Sequence, residues 1–272
     1  MLLLEKNLRE LSYKYISDFV KEISIEENYN NEKLRQFIDN LINDNRKNVS
    51  SLGNRLKKRC EKHIQEIHRV EAMYEFDKSF GNYNFIAGVD EVGRGPLAGP
   101  IVACAVILDL NVCTEDLILE INDSKLLSKE KRNKLSNIIK EKAVSYSISL
   151  CTNEEIDNMG IGVCNNKIFL DACSKLKTKP ELILSDGYRI KGINIKNEAV
   201  IKGDTKSASI ACASIIAKVY RDNLMEEYHT NYPMYNFNEN VGYGTPKHVE
   251  AIKKCGPCKI HRSSFLKNIL NN

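Results

Sequence analysis

Phe85 to Leu108 reads FIAGVDEVGRGPLAGPIVACAVIL. Two apolar runs, Phe85 to Val89 and Ile101 to Leu108, flank a segment that carries Asp90 and Glu91 side by side, then Gly93, Arg94 and Gly95. Short runs rich in Ile and Val and bounded by Gly and Pro predict strands. Neighbouring residues of a strand point to opposite faces. Asp90 and Glu91 therefore share one site only where the strand ends, and the glycines that follow supply such an ending.

Downstream, Val144 to Cys151 (VSYSISLC) alternates apolar residues with serine, which predicts a third strand. Helical patterns cover about Ser128 to Lys142 and Val163 to Lys175; Leu182 to Ser185 and Ala199 to Ile201 read as short strands, and Lys206 to His229 as a long helix. The order is β-β-β followed by α-β-α-β-α. Short connections among the first three strands predict an antiparallel meander, and the alternating part predicts crossovers onto the same sheet. The class is α/β.

Upstream, the pattern differs. Before Gly81 the chain has one glycine and no proline, and Leu8, Leu11, Tyr15 and Phe19 recur at helical spacing. Further helical patterns run from Leu34 to Ile42 and from Leu56 to about Tyr74. The division is then residues 1–80, a helical N-terminal extension, and 81–272, the sheet-bearing domain, with Ser79 to Asn84 as linker. The third helix is basic: Arg55, Lys57, Lys58, Arg59, Lys62 and Arg69 outnumber Glu61 and Glu66. It is either a solvated face or an accessory surface for nucleic-acid backbone.

Composition narrows the class. The 272 residues are 42% hydrophobic and 28% charged with a net charge of +4, which suits a globular protein and permits a nucleic-acid partner. The nine cysteines are scattered and lie mostly in apolar runs, which predicts reduced thiols and a cytoplasmic location. The opening MLLLEKNLRE lacks the apolar core of a signal peptide, and Ile101 to Leu108 is too short to span a membrane.

Two more carboxylates stand where Asp90 and Glu91 do, at the ends of elements. Asp186 closes the apolar run ELILSDG, and Asp204 follows AVIKG at the start of the long helix. Sites in open α/β sheets gather at strand ends. Clustered carboxylates repel one another unless a cation compensates them. An oxygen-only donor set suits Mg²⁺ or Mn²⁺, and several carboxylates can hold two such ions about 3.5–4 Å apart around a phosphate. The loop GRGPLAG matches neither dinucleotide-binding nor P-loop spacing, but its bare backbone can approach a ligand beside the carboxylates.

Six blocks, GVDEVGRGPLAGPIVACAVIL, NDSKLLS, LILSDG, KGDTKSASIACASIIAKVYRD, GYGTPKH and IHRSSF, occur in an order and spacing that resembles ribonuclease HII, over about Phe85 to Phe265. The resemblance implies a ribonuclease H-like mixed sheet flanked by helices. It implies that Asp90, Glu91, Asp186 and Asp204 bind two Mg²⁺ or Mn²⁺ ions, that Gly93, Arg94 and Gly95 form the substrate loop, and that Tyr243 stacks on a sugar. Lys125, Lys206 and Ser207 are candidate phosphate contacts. The implied substrates are RNA–DNA hybrids and duplex DNA with embedded ribonucleotides, cut by a monomer on the 5′ side of the ribonucleotide, with no membrane partner. The sister family, ribonuclease HIII, carries Gly-Thr-Gly in the loop, so Arg94 points to HII; the N-terminal region does not decide between them. The family usually reads Asp-Ser-Lys-Lys-Leu where this chain reads Asp123, Ser124, Lys125, Leu126 and Leu127; the loss of the second lysine puts one phosphate contact in doubt, though not the chemistry.

Other features of the chain fit this reading or carry no rival to it. Cys255 and Cys258 have the C-x-x-C spacing of thiol redox sites, but they follow a helical stretch, and a four-cysteine zinc site lacks its second half. A nucleic-acid-binding protein without catalysis would have lost one of the four carboxylates. Asp222 lies roughly 27 Å from Asp204 along an unbroken helix at about 1.5 Å per residue, so it reads as structural, paired with Arg221 or another nearby base.

Overall fold

The computed structural model describes residues 8–270, which form two compact units that meet in sequence at Arg69 and Val70. The first contains helices α1 (Tyr13–Glu22), α2 (Ile25–Asn28), α3 (Glu32–Ile42) and most of α4 (Lys47–Lys78). Its core is built by Ile16, Val20, Leu34, Phe37, Leu41, Val49 and Leu56. The stripe expected through Leu8, Leu11, Tyr15 and Phe19 is not one helix. The Ser12 side chain accepts the Tyr15 N–H and restarts the helix at Tyr13, so Ile16 and Val20 face inward and Tyr15 is 49% exposed. The third helix also begins earlier than Leu56, at Lys47, and its first turns bury Val49 and Leu52 at helical spacing from Leu56.

The second unit is built on a five-stranded sheet of order β3-β2-β1-β4-β5. Its strands are β1 (Ile86–Val92), β2 (Ile101–Ile107), β3 (Ser145–Cys151), β4 (Leu182–Asp186) and β5 (Lys196–Val200). The first three pair antiparallel, and β1/β4 and β4/β5 pair parallel, as the meander and crossovers require. Helices α5 (Lys129–Lys142), α6 (Asn153–Met159), α7 (Ile161–Ser174), α8 (Ala208–Asn231), α9 (Phe237–Asn240), α10 (Pro246–Cys255) and α11 (Ser263–Leu270) complete it.

The strand period of two sorts β1 between two helices. Ala87 and Val89 join a core with Ile101, Ala103 and Ala105 of β2 and with Cys164, Ile168 and Phe169 of α7. Gly88 faces the other way, against α8. A Cβ there would stand 2.1 Å from the Ser209 carbonyl carbon, so only glycine lets the strand and α8 approach this closely. In β3 the serines are the buried set: Ser145, Ser147 and Ser149 face inward while Tyr146 is exposed. The Ser147 hydroxyl donates to the Ala172 carbonyl of α7, so small polar residues let that helix seat on the strand.

Several boundaries differ from expectation; the long helix, for one, runs Ala208–Asn231. Strand β1 continues to Val92. Strand β5 begins at Lys196 and leaves Ile201 outside it, 74% exposed; as an edge strand with one buried residue it has no apolar run to announce it. The helix expected from Val163 starts at Ile161, after Gly160 has closed α6.

The buried Asp77, in the last turn of α4, accepts both the backbone N–H and the hydroxyl of Ser209 at 2.9 Å and so caps α8. Asp77→Ala should therefore lower unfolding stability by roughly 2 kcal/mol, since it strands a buried N–H at a helix end; a urea melt would check this. No helix among the described residues is long and apolar enough to cross a membrane. All nine cysteines are free thiols.

Candidate active site

The site follows from unequal strand lengths. Parallel pairing of β1 with β4 stops at Val89 opposite Ser185. Beyond it β1 runs on with Asp90, Glu91 and Val92, paired to β2 alone. Asp90 points to the α8 face with Gly88, and Glu91 to the α7 face with Val89. Both nevertheless line one pocket of about 320 Å³, because the β4 side of β1 is uncovered from Asp90 onward. Asp186, the last residue of β4, enters the same pocket with Ser124, Lys125, Ser214, Lys218 and Tyr243. The carboxylates thus meet beyond the point where sheet pairing stops, though β1 itself has not ended.

Asp204 sits half-buried on the 3₁₀ turn Gly203–Thr205 before α8 and is not part of the pocket wall. Asp186 Oδ1 accepts the Gly203 N–H at 2.7 Å, which ties the end of β4 to that turn. Electrostatics links all four acids. Burial, the neighbouring Glu91 charge and Asp186 hold Asp90 well above the usual carboxylate range. Burial pushes Glu91 up to about 7 against the opposing pull of Arg94, whose guanidinium lies 3.6 Å away. Burial and the charges of Asp123 and Asp186 raise Asp204. Among the described residues no three His, Cys, Asp or Glu side chains stand close enough together to hold a metal ion as placed. The donor set is oxygen-only, with Asp90 buried and Glu91, Asp186 and Asp204 half-buried, and its chemistry fits a hard dication.

The loop after β1 is held from beneath by two buried arginines. Gly93 has φ +94°, and a Cβ there would stand 2.3 Å from Arg221 Nε, so this glycine serves packing and is buried. Gly95 is the exposed glycine, with Tyr243 Cε1 3.7 Å from where its Cβ would be. Arg221 donates to the carbonyls of Ala98, Pro100 and Val241. Arg262 donates to those of Gly93, Arg94 and Gly99. Arg94 itself lies over the Tyr188 ring at 4.8 Å.

Comparison with known proteins places this geometry. A family model described as Ribonuclease HII matches residues 87–268, and one described as Ribonuclease HII N-terminal domain matches 20–81. The chain belongs to the ribonuclease HII family. A ribonuclease HII of Clostridium perfringens (strain SM101 / Type A) is 61% identical over 267 residues, covering 98% of this chain and 97% of that protein. Among solved structures, the ribonuclease H2 from Pyrococcus horikoshii OT3 has a TM-score of 0.60 at 28% identity, over 69% of this chain and 97% of that one. A Bst ribonuclease HIII in complex with Mn²⁺ has a TM-score of 0.50 at 19% identity, over 75% of this chain and 67% of that one, a likeness of fold. The N-terminal match favours HII over HIII independently of Arg94.

Within the ribonuclease HII frame, the residues named from sequence fare differently. Asp90, Glu91, Asp186, Lys125 and Tyr243 share the pocket. Ser207 does not reach it: fully buried, its hydroxyl caps α8 by accepting the Ile210 N–H at 3.2 Å, so it is a helix cap and not a phosphate contact. Lys206 is exposed beside it and is not part of the pocket wall. Asp222 pairs with Lys218 at 2.7 Å and Arg132 at 3.4 Å; Arg221 is spent on backbone carbonyls and is not its partner.

Sequence reasoning missed Ser214 and Lys218 of the pocket and the two buried arginines. Ser214, Lys218 and Asp222 recur every four residues along α8, so one helix face carries them, and that period was there to be read. Nothing local marks Arg221 or Arg262, whose partners are main-chain atoms distant in sequence.

Proposed function

We propose that this chain hydrolyses the phosphodiester on the 5′ side of a ribonucleotide in RNA–DNA hybrids and in duplex DNA with embedded ribonucleotides, leaving 3′-hydroxyl and 5′-phosphate. The observation that carries the reading is the single pocket in which Asp90, Glu91 and Asp186 face Lys125 and Tyr243. Asp90, Glu91, Asp186 and Asp204 would hold two Mg²⁺ or Mn²⁺ ions. When bound, such ions supply an activated water and neutralise charge on the leaving 3′ oxygen. The chain's own groups do the rest. Lys125 and Lys218 present cations to the phosphate. Gly95 offers bare, exposed backbone at the place where a 2′-hydroxyl must be read. Tyr243, 42% exposed, offers a ring for the adjoining sugar.

Cleavage of a duplex with one embedded ribonucleotide, against a long RNA–DNA hybrid, with and without Mn²⁺ and with EDTA, tests this. Cutting of both substrates 5′ to ribonucleotides, lost in EDTA, is expected. Cleavage that persists in EDTA, or a product with a 2′,3′-cyclic end, would sink it.

The basic face of α4 has a separate role in this reading, as an accessory contact for nucleic-acid backbone. Lys57 approaches Glu61 at 4.0 Å, and Arg59 donates to the Val20 carbonyl. Arg55, Lys58 and Lys62 are exposed at positions i, i+3 and i+7, along one face. Reversing these three charges to Glu should weaken duplex binding at low salt and reduce the slope of log K against log salt by up to about 3, at ~0.9 per phosphate contact. Salt titration of binding checks it; an unchanged slope returns the face to solvent.

A further inference from the structure

Beneath Tyr243 lies a chain of hydrogen bonds that no step of the chemistry uses. Cys258 N–H donates to His261 Nδ1 at 2.9 Å. A ring nitrogen that accepts carries no proton, so the His261 proton is on Nε2. That atom is 3.1 Å from His248 Nε2, which must accept. The His248 proton is then on Nδ1, 2.8 Å from the Tyr243 carbonyl. The tautomers follow from the single backbone donor at the far end. The same carbonyl also takes the Thr245 N–H at 2.8 Å, so both its lone pairs are committed.

Both imidazoles are buried among the rings of Tyr235 and Phe237. Burial lowers the pKa of both, and for His261 burial and the facing His248 bring it to about 4, so the chain is neutral at neutral pH. A proton on either ring would set two donors face to face. The cysteine–histidine chemistry here is not a zinc site. His261 turns Nδ1 toward Cys258 and Nε2 toward His248, opposite sides of one ring, so a single ion cannot take both contacts.

The placement of His261 gives the chain its consequence. His261 bridges antiparallel to Ala98, in the loop that follows Gly95. Its neighbour Arg262 holds the Gly93 and Arg94 carbonyls. One dipeptide thus reaches both surfaces that meet the substrate: the glycine loop through Arg262, and Tyr243 through His261 and His248.

We propose that His248 and His261 are positioning residues for ribonucleotide cleavage, fixing the Tyr243 carbonyl and through it the ring that seats the sugar. The proposal rests on the reading of Tyr243 as a substrate-facing ring. The test uses the full chain, a duplex with one embedded ribonucleotide, and single-turnover rates. Asparagine places its amide N–H near the position of Nδ1, and glutamine near that of Nε2. His248→Asn keeps the donor to the Tyr243 carbonyl but gives up the acceptor for His261, so it should lose turnover about threefold, while His248→Gln should lower it about tenfold with duplex affinity unchanged, as expected of a small misplacement. In a Tyr243→Ala background the His248→Gln change should add less than about twofold, because the ring it positions is gone. Should His248→Gln show no cooperative melt, His261→Leu, which breaks the chain one link away, takes its place in the cycle.

Losses that multiply in the double variant, or equal losses for Asn and Gln, would overturn the positioning role and leave the histidines as core. If Tyr243→Ala alone leaves turnover intact, the reading of Tyr243 fails first and this proposal falls with it, a result distinct from the other two.

Discussion

Asp186→Asn should lower cleavage more than about a hundredfold while the protein still folds. Replacing even an outer-shell partner of a bound metal typically costs ~10–100-fold, and a direct ligand should cost more. The fold should survive because Asn keeps an oxygen where Asp186 Oδ1 accepts the Gly203 N–H. What changes is charge: the amide cannot help draw a dication into a pocket it shares with Asp90 and Glu91. A second readout is independent of turnover. Protons and cations compete for carboxylates held above their usual range, Glu91 at about 7 and Asp90 raised as well. A carboxylate whose folded pKa is raised takes up protons on folding, so without added metal this cluster costs stability as pH rises from the ordinary carboxylate range toward about 7. Mn²⁺ should therefore raise the melting temperature more at about pH 8 than at about pH 6, and Asp186→Asn should remove most of that increment. Equal Mn²⁺ shifts in parent and variant, or near-parent cleavage, would exclude Asp186 from the metal site.

Tyr243→Ala should lower turnover on a single embedded ribonucleotide about 10–100-fold and leave duplex affinity nearly unchanged. One hydrogen bond to a 2′-hydroxyl is worth only about 0.5–1.5 kcal/mol net, roughly tenfold in binding. Strong selectivity must then arise in the transition state, where a displacement near 1 Å can cost about 100-fold. Tyr243 is suited to set that position: its ring lines the pocket with the carboxylates and stands beside Gly95. An all-DNA duplex should bind with moderate affinity and be cut hardly at all. Separate measurement of affinity and single-turnover rate decides the matter; weaker binding with intact turnover would make Tyr243 a contact residue only.

The two arginines beneath the substrate loop show how support can exceed chemistry in cost. Arg221 and Arg262 are fully buried, each with three carbonyl acceptors, and desolvation lowers them to about 10 and about 9. Buried cations are retained where fixed carbonyl dipoles accept their hydrogen bonds, here one at each guanidinium nitrogen. Here all of those carbonyls but that of Val241 belong to the segment Gly93 to Pro100, so the cost of burial is tied to the loop's shape.

The amino-acid sequence by itself determined four of the five strands and the antiparallel meander of the first three, because β1, β2 and β4 are buried runs and β3 alternates, and each pattern is local. It also marked Asp90, Glu91, Asp186 and Asp204, since carboxylates at strand ends stand out against apolar neighbours. It left β5 misplaced, because an edge strand with one partner needs no apolar run. Only the tertiary structure decided that β1 outruns β4 by the residues that bear Asp90 and Glu91, which opens the pocket; register is a property of paired strands and not of either alone. Only it turned Ser207 inward as a helix cap and matched Asp222 to Lys218 and Arg132. The positions of Arg221, His248, His261 and Arg262 were likewise beyond reach of the sequence, because each spends its donors or acceptors on backbone or ring atoms that the fold, and no local pattern, brings within hydrogen-bond distance.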